Sequence, residues 1–428
     1  VRIVMFTNTY LPHVGGVARS VSTYEEEFRR RGHDVRVIAP QFEGAMESTE
    51  FVLRIPAIQH FNGSDFSVQL PQPGLIAEYL DEFQPQIIHS HHPFLLGDSA
   101  LRAAWTRRLP LVFTHHTLYE QYTHYVPLDS EALQRVAIQM ATEYCNLCTH
   151  VIAPSESIAE LLVQRQVTRP ISAIPTGIDL ERFGDGDGRR FRERCNIPPA
   201  ALVIGHVGRL AAEKNLAFLS RAVGEFLARH PDAFWLVVGT GESAAVIEAT
   251  VAELANPRQL IMAGSHTGQE LVDAYTAMDL FVFSSQSETQ GMVLAEAMAA
   301  RTPVVALDGP GVRDVLNDVS GRMLPGNANE STFADAIQEM THDRAALARR
   351  GEIARQSVRT FGLDVCADRI LELYEQLVAE HSQREDADPG PWDRLLGRLE
   401  IEWNLLIEKT SALAAAVVDT EATRSQLD

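Results

Sequence analysis

Lysine is almost missing from this chain: Lys214 and Lys409 are the two in 428 residues, and every other basic side chain, histidine apart, is arginine. Cysteine is nearly as scarce, with four in all, which excludes the disulfide framework of a small secreted scaffold. No apolar run reaches the ~18 residues that a membrane-crossing helix needs. The first apolar stretch, residues 3–6, is too short for the core of a secretion signal and reads as a strand. These absences lead to the expectation of a cytoplasmic protein. Positive charge is also outweighed, at a formal net −20. That excess argues against a nucleic-acid partner and gives no drive toward an acidic membrane, although a local basic patch can hide inside such a total.

What is present is the composition of a soluble globular chain, 45% hydrophobic and 22% charged, too long for one ordinary core. Strand-like runs at residues 2–7, 33–39, 86–90, 111–114, 150–153 and 171–175 alternate with helical periodicity, and Gly15-Gly16 follows the first of them. After a loop rich in Gly, Asp and Arg (184–194) the pattern restarts, with runs at 202–205, 234–238, 260–262, 280–283 and 304–307. Strand, Gly-rich turn, helix, strand is the doubly wound α/β pattern, here twice in series. Two such sheets predict a cleft between them, where ligands meet the carboxyl ends of strands. A further helix is expected over 364–380, then a polar linker. The tail beyond it carries Trp392, Leu396, Leu399, Trp403, Leu406, Leu413 and Val417 at alternating four- and three-residue steps, with the position at Thr410 skipped, as in a short coiled-coil seam. A partner helix or second copy, the protein's own body and a membrane surface all fit that stripe, and the tail's excess of acid weighs against the last.

One stretch organises the rest. Residues 284–300 run from the end of an apolar strand into a helix with Met292, Leu294, Ala295, Met298 and Ala299 at helical spacing. Thr289 and Gln290 stand where a cap belongs, and Gly291 is expected to let a ligand approach the backbone. A helix start of this kind turns its free N–H groups and positive dipole end toward an anion. Glu288 precedes it and Glu296 lies along it, so a ligand with a diphosphate in the middle and hydroxyls at both ends would suit the pair. Two solvated glutamates at an ordinary helix start is the plainer alternative. Arg209 and Lys214 flank the turn after the strand at 202–205, where a fork and a point charge could together neutralise a departing diphosphate.

His89, His91, His92, His115, His116 and His124 crowd the first half. Metal-binding helix spacing is missing among them and acidic partners are few, so no metal site is expected; an imidazole bonded to a sugar hydroxyl is the better functional reading, and core-facing histidine the plainer alternative. Cys145-x-x-Cys148 has no second such pair and reads as structural. Asp185-Gly186-Asp187 looks like a metal-holding carboxylate pair, yet it sits in the linker loop and reads as turn chemistry.

Taken together these segments resemble glycosyltransferase family 4, the retaining GT-B enzymes. Gly15-Gly16 matches its N-terminal Gly-rich loop and residues 175–179 its interdomain segment. Gly208-Arg209 through Lys214-Asn215 matches its diphosphate clamp, Gly239-Thr240-Gly241 its second Gly turn, and Glu288 to Glu296 its paired-glutamate motif. The resemblance runs from about residue 2 to about residue 377. It implies an α/β GT-B fold of two Rossmann-like doubly wound domains with a C-terminal helical tail. Residues 1–176 would bind the acceptor and 177–363 the nucleotide-sugar; 364–380 would cross back to the first domain, leaving 381–428 as linker and amphipathic tail. It further implies that Arg209 and Lys214 bind the diphosphate with the backbone of Thr289, Gln290, Gly291 and Met292 opposite. Glu288 would contact the sugar, Glu296 the ribose, His116 the sugar near its reacting carbon, and Ser265 and His266 the base. Such enzymes need no metal cofactor and no nucleophile of their own.

Residues 116–125 are similar to a segment of the diacylglycerol glucosyltransferases, which points to UDP-glucose, a glycerolipid acceptor, peripheral membrane contact, and Tyr119, Tyr122 and His124 beside the acceptor. The departure is charge, because those enzymes tend to be basic where they meet a bilayer and this N-terminal half is acidic. A soluble sugar or polyol acceptor and other donors, GDP-mannose or UDP-N-acetylglucosamine, stay open. So do a nucleotide-sugar epimerase and a non-catalytic nucleotide-sugar binder.

Overall fold

A computed structural model of the chain describes residues 1–12, 15–42, 44, 48–58, 68–69, 72–119 and 131–384. Tyr122, His124 and the apolar stripe of the tail lie outside these described residues. The chain divides into two units, Val1–Ile174 together with the chain from Ala367 on, and Pro175–Cys366.

The first unit contains β1 (Arg2–Phe6), β2 (Asp34–Pro40), β3 (Val52–Ile55), β4 (Ala57–Ile58), β5 (Val68–Gln69), β6 (Ile87–Ser90), β7 (Leu111–Thr114), β8 (His150–Ala153) and β9 (Ile171–Ala173). Seven of them form one parallel sheet in the order β3-β2-β1-β6-β7-β8-β9, while β4 and β5 pair separately and antiparallel. The helix Leu363–Arg384 is fastened to this unit by Tyr374, whose hydroxyl lies 2.5 Å from His89 Nδ1, and by Arg369, which donates to the Ala173 carbonyl at 2.6 Å.

The second unit is a parallel sheet of β10 (Leu202–Val207), β11 (Ala233–Val238), β12 (Leu260–Gly264), β13 (Leu280–Phe283), β14 (Val304–Leu307) and β15 (Gly321–Leu324), ordered β12-β11-β10-β13-β14-β15. Strands β11, β13 and β14 read as unbroken apolar runs because both faces are covered. Val203, Phe281, Phe283, Val304 and Ala306 go to one core, and Ile204, Leu280, Val282, Val305 and Leu307 to the other. In each unit the first strand has neighbours on both sides from which the chain winds in opposite directions, β1 between β2 and β6, and β10 between β11 and β13. Loops at the carboxyl ends of those strands are where such sheets take ligands.

The expected doubly wound α/β architecture is therefore present in both units. Strands β3 and β15 and the pair β4–β5 were not anticipated. Near the two ends of the second unit, Ile178 donates to the Phe361 carbonyl and accepts from Leu363 N–H, both at 2.9 Å.

Candidate active site

In the second unit, the chain leaves β10 through Gly208 and Arg209, makes a 3-10 turn at Ala212–Lys214, and enters the helix Leu216–Arg229 through Asn215. The second Gly turn holds this loop. Gly208 N–H donates to Val238 O at 3.0 Å and Leu210 N–H to Thr240 O at 2.9 Å. A Cβ on Gly239 would stand 1.8 Å from the Gly208 carbonyl oxygen, so only glycine admits the contact.

The loop after β13 is stitched to the same turn. Ser284 Oγ donates to the Lys214 and Asn215 carbonyls at 3.0 and 3.1 Å, and Ser287 Oγ to the Glu213 carbonyl at 3.3 Å. Lys214 Nζ and Glu288 Oε1 are 2.5 Å apart, with both side chains largely buried. Arg209 pairs with Glu213, whose carboxylate is 6% exposed against 50% for the arginine side chain. Sequence reading had brought the two cations and Glu288 to one locality, and the structure does so, but each cation carries a carboxylate that the reading did not assign. His206, also unanticipated, lies in β10 near Lys214 and Glu288; its Nδ1 donates to Val282 O at 3.2 Å. Burial pushes its pKa down to about 4, so it adds no third cation.

The helix expected after Glu288 is Met292–Ala299, and its cap is Gly291 at φ 71°, not Thr289 or Gln290. That corrects the expected capping, and the reason is local packing. The Gln290 side chain is turned away, accepting from Thr176 N–H at 2.9 Å and donating to Thr176 O at 2.7 Å. The close approach at Gly291 is made by backbone as well: a Cβ there would be 2.6 Å from the Gly311 carbonyl oxygen. Glu296 is fully buried, with Oε2 accepting from the Tyr275 hydroxyl at 2.7 Å. Ser265 Oγ meets Thr240 Oγ1 at 3.1 Å, and His266 Nδ1 lies 3.0 Å from Glu270 Oε2.

In the first unit, Gly15 caps the helix Gly16–Arg30 after β1, and among the described residues a Cβ on Gly16 would meet nothing within 4 Å. The histidines gather at the carboxyl ends of β6 and β7. His89 is fixed from both sides, by Tyr374 and by Thr114 Oγ1 at 2.7 Å from its Nε2. His92 Nδ1 accepts from Asn8 N–H at 3.0 Å. His91 Nδ1 and His116 Nε2 are 2.9 Å apart, with rings nearly parallel. Burial holds His89 and His92 down to about 3; burial and then the neighbouring imidazoles hold His91 and His116 well below the ordinary value. Among the described residues no group of three His, Cys, Asp or Glu is arranged to hold a metal ion. Tyr119 packs edge-on against Phe94 and His115.

Two other motifs resolve as structural. Cys145 and Cys148 are buried thiols outside any disulfide, Cys148 Sγ donating to the Tyr144 carbonyl at 3.2 Å, and burial pushes Cys145 up to about 12. Asp187 caps the helix Gly188–Arg194, accepting from Arg190 N–H at 2.9 Å. Among the described residues no helix is long and apolar enough to cross a membrane.

Comparison with known proteins agrees with this layout. The model of Glycosyltransferase Family 4 matches residues 14–182, and that of Glycosyl transferases group 1 matches 187–357. The chain is 28% identical to a GDP-mannose-dependent alpha-mannosyltransferase of Mycobacterium tuberculosis, over 88% of this chain and 96% of the relative. It is also 28% identical to the alpha-monoglucosyldiacylglycerol synthase of Streptococcus pneumoniae, over 79% and 78%. Among solved structures, sucrose-phosphate synthase from Thermosynechococcus elongatus superposes with a TM-score of 0.71 at 21% identity, over 89% of this chain and 99% of that one, a likeness of fold. Two doubly wound units, each with its loops gathered at the strand order's turning point, are thus accounted for by descent: the chain belongs to glycosyltransferase family 4 and is a sugar-transferring enzyme of the GT-B fold.

Proposed function

We propose that this glycosyltransferase is a retaining hexosyltransferase that moves glucose from UDP-glucose to a hydroxyl acceptor, with diacylglycerol or another glycolipid precursor as the first acceptor to test. The observation that carries the reading is the pairing of Lys214, on the same turn as Arg209, with Glu288, which shortly precedes the helix Met292–Ala299. Positive charge there suits a leaving diphosphate, and Glu288 suits the hydroxyls of the sugar it carries. The bond from the anomeric carbon to the phosphate oxygen breaks with its electron pair going to the diphosphate, whose charge Arg209, Lys214 and the N–H groups of residues 289–292 absorb. The acceptor oxygen bonds to that carbon on the same face, and its proton passes to the departing phosphate oxygen. His116 hydrogen-bonds the sugar near the reacting carbon. Glu296 serves the ribose in competition with Tyr275, Ser265 and His266 lie toward the base, Gly15-Gly16 leaves room for the sugar phosphate, and Tyr119 stands on the acceptor side with Tyr122 and His124. No metal is required.

A panel of UDP- and GDP-sugars against diacylglycerol, sugars and polyols tests the reading, with the anomeric configuration of the product read by NMR. Lys214→Ala, Glu288→Ala and His116→Ala should each lower turnover ~100-fold or more while the protein stays folded. EDTA should leave the rate nearly unchanged; strict dependence on added Mg²⁺ would sink the two-cation clamp. An inverted product would end the assignment to retaining chemistry. The second reading, mannosyl transfer from GDP-mannose to a soluble sugar or polyol, is favoured by the mycobacterial relative's own donor. A lipid acceptor would bring the enzyme to the inner face of the membrane from the cytoplasm, which liposome sedimentation reads directly. The same assay, with light scattering, on the chain cut after Glu380 separates bilayer contact from a homo-oligomer seam in the tail.

A further inference from the structure

His116 and His91 face each other through single nitrogens, Nε2 and Nδ1, at 2.9 Å. Two neutral imidazoles at that distance share one proton between those atoms, so one ring donates and the other accepts. If His116 carried its proton on Nε2, His91 would have to carry its own on Nε2. That atom of His91 is buried with no hydrogen-bond partner among the described residues. An orphaned buried N–H is rarer in folded proteins than an under-used acceptor. The opposite arrangement leaves only a lone pair there.

We propose that His91 is a positioning residue: its Nδ1–H donates to His116 Nε2 and fixes His116 as the tautomer protonated on Nδ1. The inference deepens the reading of His116 as the imidazole that meets the sugar, and its functional half rests on that reading. His91 is suited to the task because it cannot turn. It is 1% exposed, and its ring lies 4.1 Å from that of His89, which Tyr374 and Thr114 hold from either side. His116 is the partly exposed member of the pair. In that tautomer the ring's one N–H is at Nδ1, the atom that would donate to a hydroxyl oxygen on the proposed reading. The ring can take up a proton on Nε2 only by giving up the His91 bond. A backing partner that selects one tautomer is the usual way a functional histidine is oriented.

The test uses the full chain labelled with nitrogen-15 in its histidine rings, with two-bond proton–nitrogen correlation spectra recorded without substrate and the His116 signals assigned by their loss in His116→Gln. Wild type should show His116 protonated on Nδ1. His91→Phe keeps a ring but no donor and should return His116 toward the Nε2-protonated form that imidazole prefers in water. His91→Asn puts an amide N–H near the position of Nδ1 and should restore the wild-type pattern. In turnover assays His91→Phe should lower kcat by about 10- to 100-fold, the usual loss when the partner orienting a functional side chain goes, with the donor KM little changed and His91→Asn recovering most of it. Wild-type His116 protonated on Nε2, or an unchanged pattern in His91→Phe, overturns the proposal. Should His91→Phe not fold, the wild-type and His91→Asn spectra decide. Because the tautomer is read without substrate, it stands or falls apart from the transferase reading; a restored pattern with unchanged kcat in all variants would refute the functional half alone.

Discussion

Arg209 and Lys214 each arrive with a carboxylate of their own, Glu213 and Glu288. The pair of cations is therefore close to neutral as it stands, and on the proposed reading a diphosphate would exchange with a carboxylate instead of meeting bare charge. Arg209 is the more exposed of the two, with half of its side chain in water while Glu213 is nearly covered. Glu213→Gln keeps the shape and removes the competing charge. It should tighten nucleoside diphosphate binding by up to ~5-fold, the scale of a half-exposed ion pair, as measured by titration calorimetry. Weaker binding instead would show that Glu213 holds Arg209 in place for the ligand. Replacing Arg209 by lysine is not conservative here, since the fork that can bridge two phosphate oxygens is lost.

At the scale of elements, Gln290 joins the segment at Thr176 to the start of the helix Met292–Ala299 by two buried hydrogen bonds. Gln290→Ala should cost about 1–3 kcal/mol, read as a lower urea midpoint with an unchanged slope. Reduced donor affinity at unchanged stability would move the residue from scaffold to ligand. Continuous apolar strands such as Leu111–Thr114 and Leu280–Phe283 were legible because burial on two faces leaves a run that composition alone reveals. Strands β3 and β15, no shorter than these, escaped because an arginine, Arg54 or Arg322, breaks the apolar run. The cap at Gly291 escaped for another reason: what approaches it is Gly311, and no local pattern carries that contact. The candidate site divides the same way. Residue types at the ends of β10 and β13 pointed to anion chemistry, whereas the pairing of Lys214 with Glu288, 74 positions apart, and of His91 with His116, 25 apart, is a product of sheet order.

Over the whole molecule, several histidines are kept neutral by burial, His89 and His92 at about 3 and His206 at about 4, with His91 and His116 shifted the same way. The unfolded chain binds protons at these sites near pH 6.5, and the folded chain does not. Their contribution to stability is thus complete above pH 6.5 and is lost as pH falls toward the folded values. Between pH 7 and pH 5 each fully buried histidine should cost about 2 kcal/mol of stability, seen as a steep drop in the urea midpoint; a midpoint level across that range would contradict their burial. One more consequence follows from Ile178, which bonds to the backbone on either side of Gly362. The polypeptide comes into the Pro175–Cys366 unit and goes out of it at one doorway. A segment with joined ends, its own sheet and cores on both faces is a cassette: expressed alone, Pro175–Cys366 should unfold in one cooperative urea transition, and on the proposed reading it should keep the nucleotide affinity of the whole chain.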